Sequence, residues 1–294
     1  MDKQNLFTVE ENTQLLPYLF AKFPSRGRNK VKALLTRGQI VVGGKVVTRH
    51  DHPLKPGDEV QILSTGAIEH RQITAGMKIV YEDDAIIVID KPPGLLSIAT
   101  DDEKERTAYH LLTDHVKQRN HRDRVFIVHR LDRDTSGLML FAKSPEVKNQ
   151  MQERWEEAVV EREYVALVQG SVKADAGTID TWLKESKTMT MYVCRAGDGV
   201  HAVTHYRVLE RGAGLSLLEV RLETGRKNQI RVHMQSIGHS VVGDKRYGAR
   251  ANPLGRLGLH ARLLSFEHPV SGKTLRFETA IPRSFRAALK PADE

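Results

Sequence analysis

The chain has 294 residues, of which 40% are hydrophobic and 28% are charged, a balance typical of a folded protein with one large and one small domain. No stretch approaches the roughly eighteen consecutive apolar residues of a membrane helix, and the polar N-terminus lacks the features of a signal peptide. The single cysteine, Cys194, excludes a disulfide framework and a cysteine-based zinc site. We therefore expect a cytoplasmic protein with no membrane partner.

The formal net charge of +8 is concentrated near the N-terminus. Residues 14–63 hold nine Lys or Arg against three acids, a net of +6, and the rest of the chain contributes only +2. A localised basic patch is the electrostatic footprint of a module that binds a polyanion, although a charged face that is only solvated would give the same count. The uneven charge favours a small nucleic-acid-binding module.

A basic amphipathic helix is predicted within this segment. Ser25 can cap a helix that runs to about Arg37 and stops at Gly38. The predicted buried stripe of this helix consists of Val31, Leu34 and Leu35. The basic residues beside the stripe are the candidates for contact with a polyanion, namely Arg26, Lys30 and Arg37.

A hairpin and a strand are predicted to follow this helix. Two apolar runs flank Gly43-Gly44, and a Pro-Gly-Asp turn at 56–58 leads into a strand over 59–63. In this order the elements resemble the RNA-binding domain named after small-subunit ribosomal protein S-four. Its usual Ser-Arg before the helix is present as Ser25-Arg26, although the inserted 27–29 is looser than the common pattern. The resemblance implies an RNA-binding module over 14–63, and the loss of apolar periodicity over 64–76 predicts a linker.

A polar corner between two apolar runs dominates the rest of the chain, in the sequence VFIVHRLDRDTSGLMLFAK at 125–143. Two strands joined by a turn is the simplest interpretation. Arg130 and Asp132 would then lie at the mouth of a rigid sheet, because a buried strand cannot hold free charges. Ordinary turn residues would give much the same pattern. A calcium loop is rejected, since its twelfth position, normally a Glu, is Lys143.

The corner resembles the signature of the RluA/RluD-type pseudouridine synthases. The family's HRLD-x-x-TSG-L stands at 129–138 without a gap. The resemblance extends from about residue 77 to the end through YEDDAIIVIDKPPGLLS, TGRKNQIRVHMQSIGHSVVGDKRYG and GLHARLLSFEHPVSG. It implies an isomerase that converts uridine in RNA to pseudouridine by base flipping, in a catalytic domain over 77–294.

Individual roles follow from the same resemblance. Asp132 would be the catalytic residue, and Arg231 would pair with it. Tyr164 would pack against the target base; the less favoured alternative is a Tyr that fills the core of the sheet. Ile230 would pack nearby, and Arg130 would enter the space that the flipped base vacates. Position 228 is usually His in the family and is Asn here, so its role stays open.

An α+β fold is predicted for this domain. Strand-length apolar runs recur at 86–89, 164–168, 204–209, 215–222, 260–266 and 275–279. Helical spacing appears near 106–119, 146–159 and 226–237. Together they favour a large mixed, mostly antiparallel sheet with a few helices, beside the small α+β module at the N-terminus.

The expected chemistry needs few groups. Isomerisation of uridine breaks the C1′–N1 bond and joins C5 to C1′ without oxidation or hydrolysis, so one carboxylate suffices and neither cofactor nor metal is expected. The carboxylate could attack as a nucleophile or remove a sugar proton.

Structured rRNA or tRNA is the expected partner, and we expect a monomer, although the sequence does not determine the oligomeric state. The alternatives are a non-catalytic RNA-binding or ribosome-assembly protein, and a nucleosidase or glycosidase, for which a second acid is missing.

Overall fold

The computed structural model describes residues 6–36, 39–43, 45–47, 49–62, 71–73, 76–101, 103, 105–118 and 120–290. The helices are α1 (Leu15–Lys22), α2 (Arg28–Thr36), α3 (Ala108–Lys117), α4 (Pro145–Glu153), α5 (Trp155–Ala158), α6 (Gln229–Ser236) and α7 (Arg283–Ala287), with a 3₁₀ helix over Lys245–Tyr247. No helix in these ranges is both long and apolar enough to cross a membrane.

The strands near the N-terminus are β1 (Leu6–Thr8), β2 (Thr13–Gln14), β3 (Ile40–Val42), β4 (Lys45–Val46), β5 (Pro53–Leu54) and β6 (Glu59–Ile62). The strands that follow are β7 (Arg71–Ile73), β8 (Met77–Glu82), β9 (Ile86–Lys91), β10 (Phe126–Ile127), β11 (Ser136–Ala142), β12 (Val159–Gln169), β13 (Ala176–Glu185), β14 (Met191–Cys194), β15 (Val200–Gly212), β16 (Leu215–Leu222), β17 (Leu259–Glu267) and β18 (Thr274–Glu278).

Twelve of the described strands form one large sheet. Its order is β14-β13-β15-β16-β12-β17-β11-β9-β8-β7, with β10 paired to β11 and β18 paired to β17. The β11–β17 pair is parallel and the other pairs are antiparallel. The predicted mixed, mostly antiparallel sheet of an α+β protein is confirmed.

The corner of the sheet that carries the polar motif is supported by a strand buried on both faces. All seven residues of β11 are buried. On one face Met139 and Phe141 belong to a core with Leu112 of α3, and on the other face Leu138 and Leu140 belong to a core with residues of α4. Because both faces are covered, the apolar run of β11 does not alternate with polar residues.

The N-terminal elements form a separate small core. A four-stranded sheet has the order β1-β6-β3-β4, and β2 pairs with β5. The predicted hairpin is present as β3 and β4, and the predicted strand after the Pro-Gly-Asp turn is β6. The predicted stripe of Val31, Leu34 and Leu35 is buried in this core.

Several predicted boundaries were wrong. Helix α2 begins at Arg28 rather than after Ser25, because the Arg26 N–H bonds to the Phe23 carbonyl in a turn that follows α1. The small sheet also includes β1, which lies before residue 14 and pairs with β6. Strand β7 falls inside the predicted linker and pairs with β8 of the large sheet.

The helix predicted over 146–159 consists of α4 and α5, and its last residue, Val159, begins β12. The helix predicted from about 226 begins at Gln229. The predicted helix end at Arg37 and Gly38, the second glycine of the hairpin, Gly44, and most of the predicted linker lie outside the described residues.

Candidate active site

The backbone that carries Asp132 is held from both sides by the turn after β9. The Ser97 hydroxyl donates to the Leu131 carbonyl at 2.6 Å and accepts from the Leu131 N–H at 3.2 Å. On the other side, the Arg133 carbonyl accepts from the Gly94 N–H at 3.0 Å. The peptide before Asp132 and the peptide after Arg133 are therefore fixed, and the Asp132 side chain emerges from a rigid corner.

A buried lysine adds to this support. Lys91, at the end of β9, is fully buried, and its Nζ donates to the carbonyls of Pro92, Leu95 and Arg133 at 3.1, 2.8 and 2.9 Å. Burial lowers the pKa of Lys91 to about 7, against the opposing charges of Asp134 and Asp132. Its three donors match three carbonyls, so Lys91 ties the turn after β9 to the corner.

His129 supports the corner as a neutral side chain. Its Nε2 accepts from the Leu140 N–H at 3.0 Å, so the ring proton is on Nδ1. The ring packs on Trp155, with centroids 4.9 Å apart. Burial, together with the nearby charge of Arg162, lowers the pKa of His129 to about 3. This histidine anchors β11 to the corner and stays uncharged at neutral pH.

Arg231 lies between two carboxylates. From helix α6 its Nη1 donates to Asp132 Oδ2 at 2.8 Å, while Nε and Nη2 donate to the two oxygens of Asp244 at 2.6 and 2.9 Å. Burial disfavours the charged guanidinium, but Asp244 and Asp132 outweigh this effect and hold the pKa of Arg231 above its ordinary value. The predicted pair of Arg231 with Asp132 is therefore present in the geometry, with a second carboxylate that the sequence reasoning did not assign.

The residues around Arg231 fix its position. The guanidinium lies 5.0 Å from the centre of the buried Tyr247 ring. Asn228 immediately precedes α6 with φ +53°, in the left-handed region that Asn adopts more readily than most residues. Its Oδ1 accepts from Arg231 Nη1 at 3.1 Å, and its Nδ2 donates to the Tyr247 hydroxyl at 3.1 Å. The position whose role stayed open thus contacts the Arg231 side chain directly.

A small recess of about 90 Å³ opens beside Asp132. Its walls include all five of the predicted catalytic and substrate-binding residues, namely Arg130, Asp132, Tyr164, Ile230 and Arg231. Tyr164 projects from β12, and burial raises the pKa of its phenol, with the negative charge of Asp132 adding to the rise and Arg162 opposing it. The phenol therefore stays protonated at neutral pH.

A larger cleft of about 600 Å³ borders three of these residues, Arg130, Asp132 and Tyr164. The basic side chains that line it are Arg130, Arg133, Arg162, Arg226 and Lys227. Arg162 also lies over the Trp155 ring, 5.9 Å from its centre. One wall consists of the segment 96–100, which follows the turn after β9. A basic cleft is suited to a polyanionic substrate, and the carboxylate of Asp132 at its wall could react with one group of that substrate.

Sequence reasoning missed Asp244, Tyr247, Ser97 and Lys91. Asp244 and Tyr247 fall in the GDKRYG stretch, which was matched as a motif without a role for either residue. Within the described residues, no group of three or more His, Cys, Asp or Glu side chains could hold a metal ion.

The three candidate RNA-binding residues of the N-terminal module differ in their positions relative to α2, and the structure describes two of them. Arg26 and Lys30 are exposed, and the Arg26 guanidinium lies 5.0 Å from the centre of the Phe23 ring. Arg26 precedes α2 rather than lying on it, whereas Lys30 is in its first turn. Arg37 lies outside the described residues.

Comparisons with known proteins agree with this geometry. Residues 85–236 match the family described as RNA pseudouridylate synthase. The chain is 36% identical to ribosomal large subunit pseudouridine synthase D of Vibrio cholerae, over 92% of this chain and 87% of that protein. It is 34% identical to the protein of the same name from Pseudomonas aeruginosa, over 90% and 87%. Among solved structures, human RNA pseudouridylate synthase domain containing 4 is similar, with a TM-score of 0.59, 25% identity, and coverage of 72% of this chain and 91% of that one.

Proposed function

Because the chain belongs to the RNA pseudouridylate synthase family and is an isomerase that converts uridine to pseudouridine in RNA, we propose that its substrate is RNA of the large ribosomal subunit. Relatives that match along nine-tenths of the chain carry this substrate in their names. The observation that carries the catalytic assignment is the pairing of Asp132 with Arg231, both of which line a recess of about 90 Å³.

Asp132 is the catalytic carboxylate in this proposal. Arg231 binds Oδ2, which orients the carboxylate and leaves Oδ1 for the substrate. The uridine exchanges its C1′–N1 bond for a C1′–C5 bond, and the hydrogen on C5 is replaced by one on N1. A single carboxylate can serve this exchange, either by a transient bond to the substrate or by moving a proton.

Tyr164 and Ile230 hold the base in the recess. Both side chains line it, and the apolar ring and the aliphatic chain offer packing surfaces to a planar pyrimidine. The sugar and the flanking phosphates would occupy the larger basic cleft. Extrusion of a base costs a few kcal/mol. We assign the exposed Arg130 to the space that the base vacates, which would offset part of this cost.

The N-terminal module is proposed to grip RNA away from the reacting uridine. Arg26 and Lys30 are exposed there, and a third cation, Arg28, lies 5.7 Å from the centre of the Phe20 ring. Exposed cations with aromatic rings between them are suited to phosphate contact and base stacking. The order of helix, hairpin, turn and strand supports an S-four-like role for this module.

The proposed enzyme acts as a monomer in the cytoplasm. Every residue that lines the recess comes from one chain, so a single copy can form the site. The ribosomal RNA named for the bacterial relatives is made and assembled in the cytoplasm, which supports that location.

A mapping experiment tests the proposal. Total RNA from a strain that lacks the gene would be incubated with the protein or with Asp132→Asn, and pseudouridine would be mapped at each position. We expect new pseudouridine in large-subunit rRNA with the wild-type protein alone. Modification confined to tRNA would refute the rRNA assignment, and equal modification by Asp132→Asn would refute the role of Asp132.

A further inference from the structure

Arg231 binds its two carboxylate partners unequally. Asp244 accepts from two guanidinium nitrogens, Nε and Nη2, whereas Asp132 accepts from Nη1 alone. The Asp244 side chain is 1% exposed, and that of Asp132 is 38% exposed. A two-point pair with a buried carboxylate fixes the plane of a guanidinium. Arg231 is therefore anchored on Asp244 and extends a single nitrogen toward Asp132.

Asn228 controls the direction of that nitrogen. The two hydrogens of Arg231 Nη1 are divided between Asp132 Oδ2 and Asn228 Oδ1. Asn228 is itself fixed, because its Nδ2 donates to the Tyr247 hydroxyl, which also accepts from the Met191 N–H at 3.1 Å. Asp244 is fixed in turn by the Tyr247 N–H, which donates to its Oδ1 at 3.2 Å. Asn228 and Asp244, which both bind Arg231, are thus held by the same buried residue, Tyr247.

We propose that Asp244 and Asn228 are positioning residues that restrict Arg231 to one hydrogen bond with Asp132, an inference that rests on the catalytic role proposed for Asp132. Without them the guanidinium is free to form a two-point pair with Asp132, because the two groups match in that geometry. Both carboxylate oxygens would then be occupied, and neither would be available to the uridine. The arrangement orients Asp132 while one of its oxygens stays accessible.

Asp244→Asn and Asn228→Ala test the proposal by separating turnover from binding. We expect single-turnover rates to fall about 100-fold, since displacement of a catalytic group by about 1 Å has effects of this size. RNA affinity, measured by gel shift, should stay within about threefold of the wild-type value for Asp244→Asn, because the buried Asp244 lines neither the recess nor the cleft. For Asn228→Ala, which alters a residue that lines both, affinity should fall far less than turnover. Glu219→Gln is the matched control, because Glu219 is also a buried carboxylate, paired with Arg207 at 2.7 Å, and borders a different surface pocket.

Asn228→His gives a readout that a purely structural role would not produce. His also tolerates the left-handed backbone, and its neutral ring can accept from Arg231, but the imidazolium cannot accept and repels the guanidinium. The charged and titratable groups that line the recess and the cleft with Asn228, or that bond to it or to Arg231, are Arg226, Lys227, Arg231, Arg130, Arg133, Arg162, His129, Asp132, Tyr164, Asp244 and Tyr247. We expect the single-turnover rate of Asn228→His to acquire an additional loss below about pH 6.5, which the wild type and Asn228→Ala lack.

The outcomes distinguish the positioning role of Asp244 and Asn228 from the catalytic role of Asp132. Slow turnover with a much smaller loss of affinity in Asp244→Asn and Asn228→Ala, measured at a temperature at which calorimetry shows the variants to be folded, together with the additional pH limb in Asn228→His, supports the positioning role. Wild-type rates in Asp244→Asn and Asn228→Ala, or a pH profile of Asn228→His with the wild-type shape, overturn it. Asp132→Asn is measured in parallel, because normal turnover in that variant would overturn the catalytic assignment itself.

Discussion

Arg231→Met should cost the protein both stability and activity, for two different reasons. Methionine keeps the length and the helix propensity of the side chain but removes the guanidinium. Asp244 would then be a carboxylate with a 1% exposed side chain and no cation beside it. Removal of one partner from a buried ion pair costs about 3 to 5 kcal/mol, since the charge that remains is uncompensated. For a domain of this size we expect the melting temperature to fall by about 10 °C.

A double variant separates the two effects. In Arg231→Met with Asp244→Asn the stranded charge is removed, and the new side-chain amide at position 244 can still accept from the Tyr247 N–H. We expect most of the lost melting temperature to return, whereas turnover should stay as low as in the single variant because Asp132 still lacks its partner. Calorimetry and a single-turnover pseudouridine assay on the same preparations would measure both quantities.

Two results would contradict this reasoning. A melting temperature for Arg231→Met within a degree or two of the wild type would mean that Asp244 does not depend on Arg231 for its burial. Recovery of turnover in the double variant would mean that Arg231 acts only by neutralising Asp244. Either result would require a different account of the contact between Arg231 and Asp132.

Four further predictions follow from the same geometry. Asp132→Asn should lower turnover by roughly 10⁴ or more in the single-turnover assay while gel-shift affinity for RNA stays within a few-fold; a rate near that of the wild type would exclude the carboxylate mechanism. Tyr164→Phe should keep the packing of the recess and most of the RNA affinity, so a large loss of affinity would show that the hydroxyl contributes to binding. Because burial lowers the pKa of Lys91 to about 7, the unfolded chain binds more protons than the folded one above that pH. The unfolding free energy of the wild type should therefore rise relative to that of Lys91→Met from pH 7 to pH 9, by at most about 1.4 kcal/mol per pH unit. Parallel curves of unfolding free energy against pH for the two proteins would contradict this. Reversal of Arg26 and Lys30 to Glu should weaken RNA binding without loss of fold and should make the slope of log affinity against log salt shallower by about 0.7 to 0.9 for each phosphate that is no longer neutralised, whereas an unchanged slope would indicate that these side chains are only solvated.

The sequence predicted the parts of the fold that depend on local pattern. Strand β16 occupies the predicted run 215–222, and the residues on either side of the polar corner are paired strands. Strands β13 and β14 were not predicted, because β13 alternates Thr, Asp and Lys with isolated apolar residues and mixes exposed with buried positions. Helix α1 was missed as well. Pro17 lies in its first turn, where a missing N–H is tolerated, but the sequence pattern around it is too short to indicate a helix.

The sequence predicted less of the site because its supports are distant along the chain. The start of α6 depends on the left-handed backbone of Asn228, which no periodicity indicates. Asp244 follows a glycine and precedes a short 3₁₀ helix, where its side chain accepts a hydrogen bond from the Tyr247 N–H. Its local sequence therefore indicates only an ordinary helix cap. Its pairing with Arg231 depends on the burial of Asp244 and on the position of Arg231 over the Tyr247 ring, which appear only in the assembled domain.

The position of Asp132 is therefore a property of the whole sheet rather than of the corner that contains it. Ser97, which pins the preceding peptide, is 34 residues from the carbonyl that it binds. Lys91 is 42 residues from the Arg133 carbonyl, and Arg231 is 99 residues from Asp132. The first two contacts fix the backbone on either side of Asp132, and the third orients its carboxylate. Because none of them can form within a short peptide, the corner sequence can identify the carboxylate, but only the folded domain can orient it for reaction.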